Sequence, residues 1–175
     1  MARDRAAFAE FVATRSGALH RAAYLMVGDV GLAQDLVQEA LTKTYVAWPR
    51  LRDAGNAEAY TRKVITNTAI TWFRRKGWKG ERPTGVVPEG THAGHADHVA
   101  DRTALMQALQ QLPPRQRAAI VLRFYDDLTE AQTAAAMDCA VGTVKSQVSA
   151  GLAKLRILLG DAVDLDDLMP AGGAA

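Results

Sequence analysis

Apolar residues recur at helical spacing along almost the whole chain, and one Gly/Pro-rich segment breaks that pattern into two halves. This restricts the fold class to all-α, with two small helical domains joined by a linker. Phe8, Phe11, Val12, Leu19, Ala23 and Met26 make a first stripe, interrupted by Gly28-Asp29-Val30-Gly31. Leu32, Leu36, Val37, Ala40, Leu41 and Trp48 make a second, which ends at Pro49 because proline cannot continue a helix. Loop-like residues including Ala54-Gly55-Asn56 follow, and the pattern predicts a third helix from about Glu58 to Lys76, stopping near Gly77. No strand-like alternation runs longer than a few residues.

Residues 77 to 100 contain Gly77, Gly80, Pro83, Gly85, Pro88, Gly90 and Gly94 and few large apolar side chains. Such a composition cannot bury a core, and it predicts a flexible linker. Helical pattern returns with Leu105, Leu109 and Leu112. Pro113-Pro114 breaks it and suits the first turn of the next helix, where a missing N–H costs nothing. That helix carries Ile120, Val121 and Phe124. Thr129 with Gln132 forms a capping box opening a short helix to about Met137. After a tight turn at Asp138-Cys139-Ala140, a last helix starts near Val141, with Val141, Val144, Val148, Leu152, Leu155 and Leu159 as its apolar stripe. The expected division is a first domain at 1–80, a linker at 81–100, a second domain at 101–160 and an acidic tail at 161–175, expected to be disordered.

Composition narrows the function classes. Apolar residues make up 49% of the 175 and charged residues 23%, a globular balance. No apolar run approaches the roughly 20 residues of a membrane span, and Met1-Ala2-Arg3-Asp4-Arg5 does not open a signal peptide. The single Cys139 offers neither a disulfide framework nor a cysteine-based zinc site. These features predict a cytoplasmic protein without membrane insertion. Net charge is only +2, but residues 43 to 82 hold ten Lys or Arg against three Asp or Glu, and residues 161 to 175 hold four Asp and no Lys or Arg. The basic block is either a solvated helix face or a footprint for a polyanion. The acidic tail (Asp161, Asp164, Asp166, Asp167) is a candidate cover for it.

Two short helices joined by a tight turn, the second polar on its outer face, form a helix-turn-helix pattern. With the last stripe packed inward, Gly142, Thr143, Lys145, Ser146, Gln147 and Ser149 face outward near the helix N-terminus. Small residues, hydroxyls and a cation there suit a major-groove reader. Leu112-Pro113-Pro114-Arg115-Gln116-Arg117, Leu122-Arg123-Phe124-Tyr125, Val141-Gly142-Thr143-Val144-Lys145-Ser146 and Leu152-Ala153-Lys154-Leu155-Arg156, in this order, resemble region 4 of the extracytoplasmic-function (ECF) RNA polymerase sigma factors, group IV of the primary sigma family. The resemblance implies binding to the −35 promoter element through Thr143, Lys145, Ser146 and Ser149, and to the beta flap of polymerase. Four positions depart from the family pattern: Asp138 for a usual Gly in the turn, Ala140 for a frequent Ser cap, and Ala150-Gly151 for Arg-Ala. A lost cap and a helical Gly each cost about 1 kcal/mol.

The first half extends the resemblance, which runs from about residue 8 to 159. In Ala33-Gln34-Asp35-Leu36-Val37-Gln38-Glu39-Ala40, Leu36 and Ala40 belong to the buried face, while Asp35, Gln38 and Glu39 share an exposed one. Alone they are an ordinary solvated stripe. They are similar to region 2.2, which implies docking on the beta-prime clamp. Residues Ala59 to Lys76 interleave cations with aromatics, as melted DNA requires, although Trp72 and Phe73 also fit a core. This stretch resembles regions 2.3 and 2.4, implying −10 element contacts by Arg62, Lys63, Asn67, Trp72, Arg74 and Arg75. The preceding loop, about Leu51 to Ala57, resembles the segment that captures a flipped base.

The expected partners are therefore bacterial core RNA polymerase (beta-prime clamp and beta flap) and promoter DNA. Most members of this family are also held inactive by an anti-sigma factor, which no residue here identifies. The chain is expected to have no catalytic residues, no metal ligands and no cofactor. His92, His95 and His98 are spaced as metal ligands would be on a helix, but their Gly-containing surroundings favour a mobile segment titrating near neutral pH. The alternatives are a stand-alone helix-turn-helix regulator, which leaves residues 33 to 76 unused, and a small helical enzyme or metal protein built on those histidines. On the resemblance, Ala150→Arg restores a phosphate contact and should tighten binding to a cognate −35 duplex at low salt, measured by fluorescence anisotropy; unchanged affinity would contradict it.

Overall fold

The computed structural model describes residues 2–51, 53–77 and 96–160, with side chains described at 4–51, 53–77 and 102–160. Its helices are α1 (Ala2–Val27), α2 (Val30–Ala47), α3 (Ala54–Lys76), α4 (Ala96–Gln110), α5 (Pro114–Ile120), α6 (Glu130–Met137) and α7 (Val141–Leu159). A 3₁₀ turn, Trp48–Arg50, follows α2, and a π turn, Val121–Tyr125, extends α5. No strand occurs among the described residues, and the fold is all-α, as expected.

The boundaries follow local chemistry. Asp29 caps α2 through Oδ1, which accepts from the Leu32 N–H at 2.7 Å. Asp53 caps α3 in the same way, accepting from the Asn56 N–H at 2.7 Å and from its side-chain amide at 3.0 Å. This cap starts α3 at Ala54, so Ala54-Gly55-Asn56, expected as loop, form its first turn. The Thr129–Gln132 capping box is present, and Asp138 ends α6 in the left-handed region at φ 54°. Ala140 precedes α7 with no side-chain cap. Helix α4 begins at Ala96, inside the segment read as linker. Residues 81–95 of that segment, His92, His95 and the tail at 161–175 lie outside the described residues, as does the His98 side chain.

Helices α1–α3 make one domain. Phe8, Phe11, Tyr45 and Trp48 stack at one end of it, and the Thr44 and Thr61 hydroxyls meet at 2.7 Å where α2 crosses α3. Helices α4–α7 make the second. Gly151 lets α7 close on α5: a Cβ there would stand 3.0 Å from Ile120 Cγ1 and 3.1 Å from Leu112 Cδ2. Its helix-weakening cost is thus exchanged for a close approach.

The two domains are not separate bodies. Leu19, Met26, Leu36, Val37, Ile65 and Ala69 of the first share one continuous core with Ala118, Ala119, Val121, Leu122 and Met137 of the second. Arg117 of α5 crosses the seam at 1% exposure. It donates to Met26 O at 2.6 Å, Gln110 Oε1 at 2.7 Å, and Gln110 O and Leu112 O at 3.0 Å each. Its guanidinium also lies over the Phe73 ring, 4.8 Å from the centroid. Desolvation lowers its pKa to about 10, so it stays charged at neutral pH. Gln110 in turn donates to Leu25 O at 2.9 Å. Gly28 leaves room for that amide: at φ +73° it ends α1, and a Cβ there would sit 2.6 Å from the Gln110 side chain.

Arg117→Met keeps the volume but leaves four buried carbonyl oxygens short of donors. It should lower the unfolding free energy by roughly 2–4 kcal/mol in urea titration, and Arg117→Lys, with one compact ammonium, should not rescue it. A loss below about 0.5 kcal/mol would remove Arg117 from its structural role.

Candidate nucleic-acid interface

Three surfaces carry the residues singled out from the sequence. On α2, Ala33, Leu36, Val37 and Ala40 are buried while Asp35, Gln38 and Glu39 are exposed. With Thr42 and Lys43 they line one shallow open depression. Glu39 pairs with Lys43 one turn on, at 2.6 Å. Both side chains are half-exposed, so solvent screens the pair and leaves it weak. The surface is lined by polar side chains and is exposed among the described residues.

On α7, Lys145, Ser146 and Ser149 are exposed and Thr143 is half-buried. Ser146 Oγ donates to Thr143 O at 2.9 Å, and Lys145 Nζ lies 3.5 Å from Glu130 Oε2. Lys145 and Ser149 share a groove with Arg123 and Arg156, floored by Phe124, Val148 and Leu152. Arg123 and Arg156 thus join this basic face without having been assigned to it. For Arg156 the signal was present, since it follows Ser149 by seven residues and so falls on the same helix face. Arg123 comes from another element, and only folding brings it there; its guanidinium donates to Leu128 O.

On α3, the six candidate residues divide into two sets. Trp72, Arg74 and Arg75 lie toward the helix C-terminus, with both arginines exposed. Trp72 packs edge-on against Phe73 with ring centroids 4.8 Å apart, and Lys76 Nζ sits 4.6 Å over its face. Both rings are partly buried, and Phe73 packs against the core. Arg62, Lys63 and Asn67 instead meet the second domain. Arg62, 13% exposed, donates to Asp126 Oδ2 at 2.9 Å and to Glu58 Oε1 at 2.8 Å. Lys63 Nζ is 3.1 Å from Asp138 Oδ1, and Asn67 Nδ2 donates to Ala136 O at 2.9 Å. Burial raises the Asp126 carboxyl above its usual value, and this outweighs the opposing pull of Arg62. The ionised carboxylate therefore costs the packed arrangement something at neutral pH. Of the segment read as a base-capturing loop, Leu51 and Asp53 remain outside regular structure, Arg52 lies outside the described residues, and Ala54–Ala57 are helical.

Among the described residues, no group of three or more His, Cys, Asp or Glu side chains could hold a metal, and no helix is long and apolar enough to cross a membrane.

The comparisons agree with this architecture. The Sigma-70 region 2 family matches residues 11–79, and the Sigma-70 region 4 family matches residues 102–155. The RNA polymerase sigma-E factor of Streptomyces coelicolor is 42% identical over 149 residues, covering 85% of this chain and 84% of that protein. The ECF RNA polymerase sigma factor SigL of Mycobacterium tuberculosis is 30% identical over 148 residues, covering 81% and 82%. The sigma factor RpoE of Bartonella quintana, solved in complex with the anti-sigma factor NepR, superposes with a TM-score of 0.69 at 27% identity, covering 89% of this chain and 98% of that one. Both helical domains are matched in order, and similarity extends across most of the chain: the protein belongs to the extracytoplasmic-function family of RNA polymerase sigma factors.

Proposed function

We propose that this chain brings bacterial core RNA polymerase to specific promoters and helps open them, acting in the cytoplasm and leaving all chemistry to the polymerase. In this reading the first domain, residues 1–80, docks on the beta-prime clamp through Asp35, Gln38 and Glu39. The same domain contacts the −10 element through Arg62, Lys63, Asn67, Trp72, Arg74 and Arg75 of α3. The second, residues 101–160, contacts the −35 element through Thr143, Lys145, Ser146 and Ser149 and meets the beta flap. Arg123 and Arg156 add phosphate-seeking charge beside that face. An anti-sigma factor is the natural inhibitor for such a chain, as NepR is found on the Bartonella protein.

The observation that carries this reading is the pairing of two cation-bearing faces, on α3 and α7, with a third, acidic-polar surface on α2. A stand-alone helix-turn-helix regulator has use for α6 and α7 only. It leaves the cations of α3 and the exposed Asp35–Glu39 stripe without a role.

The test is whether the full chain binds bacterial core polymerase and starts transcription from promoter fragments selected from a genomic library. Specific starts are expected. A chain that folds but neither binds polymerase nor directs it would overturn the reading. Asp35→Lys with Glu39→Lys should weaken polymerase binding by about tenfold or more while leaving −35 duplex binding within about twofold, because charge reversal acts on the docking surface alone.

A further inference from the structure

The groove beside α7 is basic, with one exception. Arg123, Lys145 and Arg156 line it above Phe124, Val148 and Leu152, and among its described lining residues Glu130 is the one carboxylate. A carboxylate on a face meant for DNA repels the phosphates that the neighbouring cations attract. Unless it does something else there, it only weakens binding.

Glu130 opens α6 but is not needed to start it. Thr129 Oγ1 accepts from the Gln132 N–H at 3.1 Å, and Gln132 Oε1 accepts from the Thr129 N–H at 2.9 Å. That box closes the helix end with neutral groups. The Glu130 side chain reaches instead to the next helix: its Oε2 stands 3.5 Å from Lys145 Nζ, about one turn into α7. The Lys145 side chain is 63% exposed and that of Glu130 42%, so the pair adds little to stability. What it changes is where the ammonium goes.

A lysine on its flexible stem takes a nearby phosphate by default, and a phosphate contact carries no sequence information. Beside Glu130 that contact is less favourable, because the ammonium is already paired and the carboxylate repels the approaching phosphate. A base edge is different. It is uncharged, and an ammonium has three N–H donors. Lys145 can give one to Glu130 and another to an acceptor such as guanine O6 or N7 in the major groove, without breaking the pair. Ser146 and Ser149 are exposed on the same helix, so the lysine stands among the groups assigned to base reading.

We propose that Glu130 is a specificity-determining residue of the −35 face, holding Lys145 for a base edge and keeping it from phosphates. The inference rests on the assignment of α7 proposed above. Glu130 is a positioning residue that acts through Lys145. It lowers affinity for arbitrary duplex and leaves affinity for the cognate element nearly unchanged. Discrimination rises without a new contact to DNA.

The full chain is titrated with two duplexes of equal length, a −35 duplex from a promoter selected as above and one of scrambled sequence, over a range of salt. Fluorescence anisotropy reports binding. The variants are Glu130→Gln, which removes the charge and keeps the shape, Lys145→Gln, and the two together. Glu130→Gln should tighten the scrambled duplex about threefold or more at ~0.1 M salt and steepen the slope of log affinity against log salt by about 0.9, the value of one more phosphate contact. Binding of the −35 duplex should stay within about twofold, so the preference falls. With Lys145 already replaced, Glu130→Gln should change neither slope nor preference. Equal tightening of both duplexes is a general charge effect and overturns the proposal. So does a steepened slope that survives the loss of Lys145, or an unchanged slope and preference where the wild type discriminates; these outcomes spare the α7 assignment. A wild type that holds both duplexes alike and is unaffected by Lys145→Gln overturns that assignment and the proposal with it.

Discussion

The arrangement of this molecule turns on one guanidinium. Helices α1 and α4 both end at the centre of the protein, and neither carries a basic residue in its last turn. Their terminal carbonyls have no partner within their own helices, and burying such groups unpaired is costly. Arg117 arrives from α5 and answers Met26 O on α1, Gln110 O on α4 and Leu112 O beyond it. A cation at a helix C-terminus is also favoured by the helix dipole, here for two helices together. The Phe73 face completes the enclosure and fixes α3 to the same point. Four helices from both domains are thereby tied to one side chain, at the desolvation cost visible in its lowered pKa.

Around that centre the interface grades from dry to wet. Apolar side chains of α1, α2 and α3 meet those of α5 and α6 in a common core. Asp126 and Arg62 stand at its margin, and Lys63 and Asp138 outside it. The seam also has unpaired groups: among the described residues, Thr66 Oγ1 on α3, Thr133 Oγ1 on α6 and Arg117 Nε are buried without a hydrogen-bond partner. Buried polar groups left without partners weaken the packing around them.

The same residue types serve folding and recognition here, which explains why sequence reading divides them imperfectly. Trp72 and Phe73 are neighbours of like character and both partly buried, yet Phe73 packs on the core beneath Arg117 while Trp72 lies under Lys76. Arg62 and Arg74 sit on one helix, yet one is held by two carboxylates and the other is free in solvent. Gly151 reads as a weakness of α7 until the Ile120 and Leu112 side chains are seen at its Cα.

From the sequence alone came the all-α class, the register of the helix stripes, the Thr129 capping box, the left-handed tolerance of Asp138 and the exposed polar faces of α2 and α7. These are local properties: periodicity shows which face of a helix is apolar, and caps and turns depend on a few adjacent residues. What each apolar face packs against is not local. The union of two domains into one core, the role of Arg117, the fit of Gln110 against Gly28 and the covering of Arg62, Lys63 and Asn67 join residues 64 to 91 positions apart. Only the tertiary structure decided them. A cation seeks an anion, and the sequence cannot say whether that anion is a phosphate of DNA or a carboxylate of the same chain.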